Sequence, residues 1–325
     1  MRTLPRAGRV DANGAAGPVL HPACQLSAGG GDVLAARPAN RGDESRVHQG
    51  LLKFLDALAG RFDAGVRLVD FKTATEAARQ AINAWVAGQT EDRIKELLVQ
   101  GTLDDMTRLV LVNAIYLKAA WATAFDPKAT QPAAFTRPDG SVVQVPTMHL
   151  GTELSYAEGQ GWRAVELPYV GGQLAMTIVV PDDLASFVRT ADATTIDTIV
   201  QGLANRRPEV DLALPSFSIE TKTELASVLS SLGMPLAFDP NGADFSGMTT
   251  QERLYIGAVI HQANIDVDEK GTEASAATAV VMEASAAPLD HVTFQVDRPF
   301  LFLLRDTTSG AIVFLGQVTD PSLTR

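Results

Sequence analysis

Histidines, serines and clustered acids are the side chains with which this chain could do chemistry, and their spacing argues against most of it. The five histidines, His21, His48, His149, His261 and His291, stand apart, without the intervals that bring two ligands to one metal. Cys24 is the single cysteine, so a cysteine-based zinc site and an internal disulfide framework are both excluded. There is no G-x-S-x-G elbow, no H-E-x-x-H, no Walker A loop and no G-x-G-x-x-G following a strand. Ser246, in GADFSGM (242–248), reads as part of a turn rather than as a nucleophile. Asp268, Glu269 and Glu273 surround a glycine but lack the alternating acids of a calcium loop, and read as a solvated charge cluster. His261 and Asn113 each interrupt an apolar strand pattern. Both read as structural polar groups, because a buried asparagine without a partner costs about 1–3 kcal/mol. They would satisfy each other if their strands face. No metal and no cofactor is expected.

The unusual stretch is DEKGTEASAATAVVMEAS (268–285). Its β-branched residues disfavour a helix, and its alanines hold a sheet poorly. Divided by the strand period of two, one face carries Thr272, Ala274, Ala276, Thr278, Val280 and Met282. The other carries Glu273, Ser275, Ala277, Ala279, Val281 and Glu283. The first face is small and uncharged, so the segment can enter a sheet, yet its first half has too little side chain to stay there by packing alone.

The elements around it suit a large core: 325 residues, 46% of them hydrophobic. A net charge of −11 without a Lys/Arg-rich run argues against a nucleic-acid partner. No apolar run is long enough for a membrane helix, and no apolar region follows the basic start MRTLPRAGR, so no signal peptide is visible. Residues 1–45, rich in Gly, Ala, Pro and Arg, show neither period and are expected to be disordered or weakly structured. Helical patterns follow at 46–59 and 73–98, the second with Thr73 and Glu76 spaced as a capping box and Gly88 as a dividing point. Strands are expected at 66–71, across TRLVLVNAIYLKAAW (107–121), in a series over 135–181, at 211–219 and at 253–267. A helix is expected at 221–234, and a hairpin joins 300–306 to 311–318. The class is α+β.

Residues 72–325 resemble the serpin family nearly end to end. EAARQAINAWVAGQTEDRIKELL is similar to the family's long helix over its main sheet, and TRLVLVNAIYLKAAW to a central strand. VQVPTMHL, LPSFSIETKTELASVLSSLGM, FDPNGADFSGM, LYIGAVIHQA and DRPFLFLLRDTTSGAIVFLGQVTDP follow in family order, in a spelling nearest the bacterial type. DEKGTEASAATAVVM resembles the hinge and reactive loop of an inhibitory member.

The resemblance implies a serpin fold with an exposed reactive loop, formed as a single domain over 46–325. It implies no enzyme but an inhibitor: a suicide substrate whose loop is cut by a serine protease and then enters the central sheet as a strand. Glu269, Gly271, Thr272 and Glu273 would form the hinge; Ala274, Ala276 and Thr278 would insert with Thr272 facing inward. The reactive bond would be Ser285–Ala286. A serine among alanines suits an elastase-like or subtilisin-like protease with a small primary pocket. Asn113 and His261 would be the family's paired polar residues. The family's first helices have no counterpart in 1–45, and the strand and helix expected between RVHQGLLKFLDALAG (46–60) and RFDAGVRLVDF are missing; that strand belongs to the receiving sheet. Asn264 stands where a large apolar residue is usual. The alternative is therefore a non-inhibitory serpin-fold protein, or a truncated remnant cut as a simple substrate. A monomer is expected, extracellular by resemblance, with the cytoplasm left open by the lack of a signal peptide.

Overall fold

The computed structural model describes residues 32–36, 56, 66–117, 119–248, 253–272 and 290–323. Apart from Asp56, the helix expected at 46–59 lies outside them. In chain order, β1 (Asp32–Ala36) and β2 (Val66–Val69) precede α1 (Thr75–Gln89), β3 (Leu109–Tyr116) and the short β4 (Ala119–Ala120). Then come β5 (Gln131–Thr136), β6 (Val142–Glu153), β7 (Ser155–Gly159), β8 (Trp162–Pro168) and β9 (Leu174–Pro181). Two helices, α2 (Leu184–Thr190) and α3 (Ala193–Leu203), lead to β10 (Glu209–Pro215), β11 (Phe217–Glu224) and α4 (Ala226–Ser231). A 3-10 turn at Pro235–Phe238 is followed by β12 (Ile256–Asp268), β13 (Gly271–Thr272), β14 (His291–Gln295), β15 (Phe300–Asp306) and β16 (Ile312–Val318).

The chain forms two compact units. One combines the described residues before Lys118 with Ser216–Asp268. Its strands run in the order β2-β1-β3-β12-β11. β1 lies inside the stretch 1–45 that showed no period, and it fills the place between β2 and β3: parallel to β2, antiparallel to β3. The sheet thus has no empty position there. β3 and β12 are parallel, Leu109 opposite Ile256 and Tyr116 opposite Asn264.

The apolar run LVLVNAIY forms a central strand because both its faces are covered. Val110, Val112 and Ala114, with Ala258 and Ile260, pack against Ala78, Ile82 and Val86 of α1. Leu109, Leu111, Ile256 and Val259 pack on the opposite side against Leu225, Leu229, Phe238, Phe245 and Met248.

The helix pattern over 73–98 is shorter in three dimensions. α1 ends at Gln89, and Glu91 and Asp92 take left-handed φ values of 48° and 60°. The chain turns back there, which lets Ile94, Leu97 and Leu98 bury in the same core without remaining helical. The expected capping box does not form. Ala74 occupies the N-cap without a side-chain bond, Thr73 donates its hydroxyl to Asp70, and Glu76 pairs with Arg79 at 2.7 Å. The helix expected at 221–234 is likewise reduced to α4, because residues 221–224 extend β11 opposite Ala263 to Ile260. Inter-strand hydrogen bonding overrides local propensity here. Asn264, fully within the core, finds a partner by donating to the Arg93 carbonyl at 3.3 Å.

The other unit combines Ala119–Pro215 with Glu269–Asp320. One sheet runs β16-β15-β9-β8-β7, every neighbour antiparallel, with β9 buried along its whole length. The expected C-terminal hairpin is present, Phe300 opposite Val318. Ile199 and Leu203 of α3 cover Ala157, Ala164, Val179 and Leu303. Glu166 accepts from Arg305 at 2.5 Å and from Thr177 at 2.9 Å, tying β8, β9 and β15 together. A second sheet runs β14-β10-β6-β5.

Two buried side chains hold the segment after α1: Thr90 accepts from the Ile94 N–H at 3.1 Å, and Asn83 reaches Leu98. Asn83 accepts from the Leu98 N–H at 2.8 Å and donates to the Leu98 carbonyl at 2.8 Å. Asn83→Ala strands a buried N–H, so urea unfolding should report a loss of about 1–3 kcal/mol. Asn83→Asp keeps the acceptor but buries a carboxylate, and should lose at least as much. An unchanged midpoint in both would show that the bracket contributes nothing.

Candidate functional site

Where β12 ends, the chain turns through Glu269 and Lys270 and enters β13. The turn is fixed by its backbone: Trp121 N–H donates to the Lys270 carbonyl at 3.0 Å and Phe125 N–H to the Glu269 carbonyl at 2.9 Å. The Glu269 carboxylate accepts from the Thr130 hydroxyl at 2.7 Å. This carboxylate is therefore a structural tie, not part of an open acidic cluster.

Gly271 follows at φ +145°, and it is glycine for a steric reason. A Cβ there would lie 2.2 Å from the Ala119 carbonyl oxygen and 2.8 Å from Ala120 Cα. Without that atom the two backbones close into an antiparallel pair, Gly271 opposite Ala120 and Thr272 opposite Ala119. On its far side, residues 120–122 are held by Val170 N–H to the Ala120 carbonyl (2.8 Å) and Ala122 N–H to the Pro168 carbonyl (2.9 Å).

Thr272 is completely buried, and its hydroxyl lies 2.8 Å from that of Tyr169, where either can donate. Tyr169 is also fully buried, and its ring stacks on Trp121 at 4.5 Å and 14°. Trp121 in turn meets Phe125 edge-on at 6.4 Å. Burial pushes the Tyr169 phenol far above its ordinary pKa, only partly offset by the bond to Thr272, so the pair remains two neutral hydroxyls. Such a site can seat a strand.

Of the residues singled out in the sequence, Glu269, Gly271 and Thr272 come together here. Glu273, Ala274, Ala276, Thr278, Ser285 and Ala286 lie outside the described residues. Asn113 and His261 are brought side by side in the other unit, opposite each other in the β3–β12 ladder and half-buried, on the face that carries Leu111 and Val259. Burial pushes the His261 imidazole below its ordinary pKa, which favours a neutral ring at pH 7. Tyr169 was not foreseen, since YVGGQ reads only as a turn. Nothing local connects residue 169 to residue 272.

The steric argument for Gly271 can be tested directly. Gly271→Ala should open the pair with β4, raising amide exchange across 119–122 and 271–272 and lowering the thermal midpoint. A variant with unchanged exchange would mean that the backbones can separate without loss.

Comparisons with known proteins agree with this architecture. The profile of the family Serpin (serine protease inhibitor) matches residues 48–321. The leukocyte elastase inhibitor of Equus caballus is 37% identical over 298 residues, covering 87% of this chain and 77% of its own. The plasminogen activator inhibitor 1 of Neovison vison is 40% identical over 269 residues, covering 80% of this chain and 66% of its own. The crystal structure of native protease nexin-1 with heparin superposes with a TM-score of 0.76 at 30% identity, over 90% of this chain and 76% of that one. A long central strand ending in a tight glycine turn, the mixed sheets and a family profile spanning most of the sequence lead to one conclusion: this chain belongs to the serpin family.

Proposed function

We propose that this serpin inhibits a serine protease as a suicide substrate, with the segment between Thr272 and Asp290 as the presented loop. The protease serine attacks the Ser285 carbonyl, the Ala286 amine leaves, and an ester joins Ser285 to the enzyme. Insertion of the severed loop as a strand then outruns hydrolysis of that ester. The protease target has a small primary pocket, elastase-like or subtilisin-like, because the residues about the bond are Ser285, Ala286 and Ala287.

One observation carries this reading. Gly271 and Thr272 are already seated as a strand while β3 and β12 are still paired directly with each other. On this reading the loop enters running against β12 and the parallel β3. A strand entering between two parallel neighbours in that direction exchanges one parallel ladder for two antiparallel ones, which are the more stable per residue. The small face of Ala274, Ala276 and Thr278 is what such a passage requires. Glu269 and Gly271 act as the hinge, Thr272 as the first inserted side chain, and Asn113 with His261 as polar partners at the ladder that must open.

Incubation with an elastase-like protease, followed by a denaturing gel, tests the proposal. A covalent complex of the summed mass is expected, and the small C-terminal fragment should begin at Ala286. Complete cleavage without complex would instead favour the substrate-like alternative. A fragment beginning before Met282 would remove Ser285 as the reactive residue.

Thr272 is buried before any cleavage, so an arginine there would disturb the resting protein as well as insertion. Ala276 discriminates better. Ala276→Arg would bury an unpaired guanidinium on insertion, at a cost of several kcal/mol. It should convert inhibitor to substrate without moving the cut. Ala277→Arg, on the opposite face, should leave most trapping intact. Equal trapping by both variants would contradict strand insertion.

A further inference from the structure

The first residue described after Thr272 is Asp290, and its exposed carboxylate is paired. Arg206 grips its carboxylate with two nitrogens, Nε at 2.7 Å and Nη2 at 2.9 Å. The guanidinium is itself held from two other sides. Its Cζ lies 4.8 Å from the centre of the Tyr156 ring, and Nη1 is 3.8 Å from Glu158. Tyr156 donates its hydroxyl to Glu158 at 2.6 Å. The Asp290 carbonyl meanwhile accepts from Glu209 N–H at 2.9 Å, directly before His291 pairs with Glu209. One step further, His291 Nε2 lies 2.9 Å from the Asp211 carboxylate.

The strand that begins here is weak by itself. β14 has five residues, lies at the edge of its sheet and pairs, among the described residues, with β10 alone and in parallel. Its start is therefore the place where the chain would peel away. An arginine pre-oriented by an aromatic ring and a second carboxylate loses little side-chain freedom on binding Asp290, and the fork matches a carboxylate better than a point charge would.

We propose that Arg206 is a positioning residue for the reactive loop: its clamp on Asp290 fixes the point from which the leaving side of the loop is presented to the protease. This rests on the reading of the segment between Thr272 and Asp290 as that loop. The two ends of the loop are then held differently. The hinge end is held by close backbone packing and neutral hydroxyls, indifferent to salt. The Asp290 end is held by a partly exposed ion pair, which salt screens.

The test uses the whole chain and the variants Arg206→Gln, Asp290→Asn and their double. Amide exchange over 290–296 is measured first, without protease. Each single variant should exchange about three- to fivefold faster, the range expected of a partly exposed pair, with a thermal midpoint close to the parent. The double variant should exchange no faster than either single one. Raising salt should speed exchange in the parent and leave the variants unmoved. With elastase, the second-order rate of attack at the loop should fall in the single variants, whether attack ends in a complex or in cleavage, while the proportion trapped stays the same. Unchanged exchange, additive single effects, or an unchanged rate of attack would each overturn the clamp. A parent that is cut but never trapped would refute the inhibitory reading alone, since exchange and attack rate still judge Arg206.

Discussion

The parallel ladder between β12 and β3 is the constraint on which the rest of this molecule turns. Both strands carry core residues on both faces, so neither can leave the sheet without exposing a core. Their parallel pairing is nonetheless the weaker of the two ladder types. β3 and β12 are thus held firmly by their surroundings and less firmly by each other. A strand that could slip between them would keep both cores and improve the hydrogen bonding. On the proposed reading, small uncharged side chains at alternate positions after Gly271 meet that need. The polar residues opposite each other at Asn113 and His261 interrupt the apolar packing at the very ladder that would part.

The two ends of the loop illustrate different ways of fixing a chain. At Gly271 the determinant is an absent atom: the backbone of β13 approaches β4 so closely that a methyl group has no room. At Thr272 a buried hydroxyl must find a partner, and Tyr169 provides it while its own ring is immobilised by Trp121. At Asp290 the tie is electrostatic and gains from a bidentate geometry. The first two depend on packing and change little with solvent composition. The third depends on ionic strength.

Buried polar groups mark the other places where this chain departs from an apolar core. Asn83 closes the turn after α1 by bonding both backbone groups of Leu98. Asn264, unusual for its position, is reconciled by the Arg93 carbonyl. Both belong to the core beneath α1, where the helix stops early and the chain must fold back. The polar side chains follow from that geometry, since a buried turn leaves backbone groups that a helix would have satisfied internally.

The sequence by itself determined the α+β class, the central strands and the C-terminal hairpin, because each has a local imprint. Continuous apolar runs report burial on two faces, and turn residues report reversals. It also carried the family resemblance, which the profile and the relatives bear out. What it could not carry was partnership across distance. The end of α1, the extension of β11 through Thr223 and the place of β1 between β2 and β3 were decided by which strands and cores were available, against local propensity. Tyr169 with Thr272 and Arg206 with Asp290 are separated by 103 and 84 residues. Periodicity says that a side chain is buried or exposed. Only the folded topology, which selects neighbours from the whole chain, says against what.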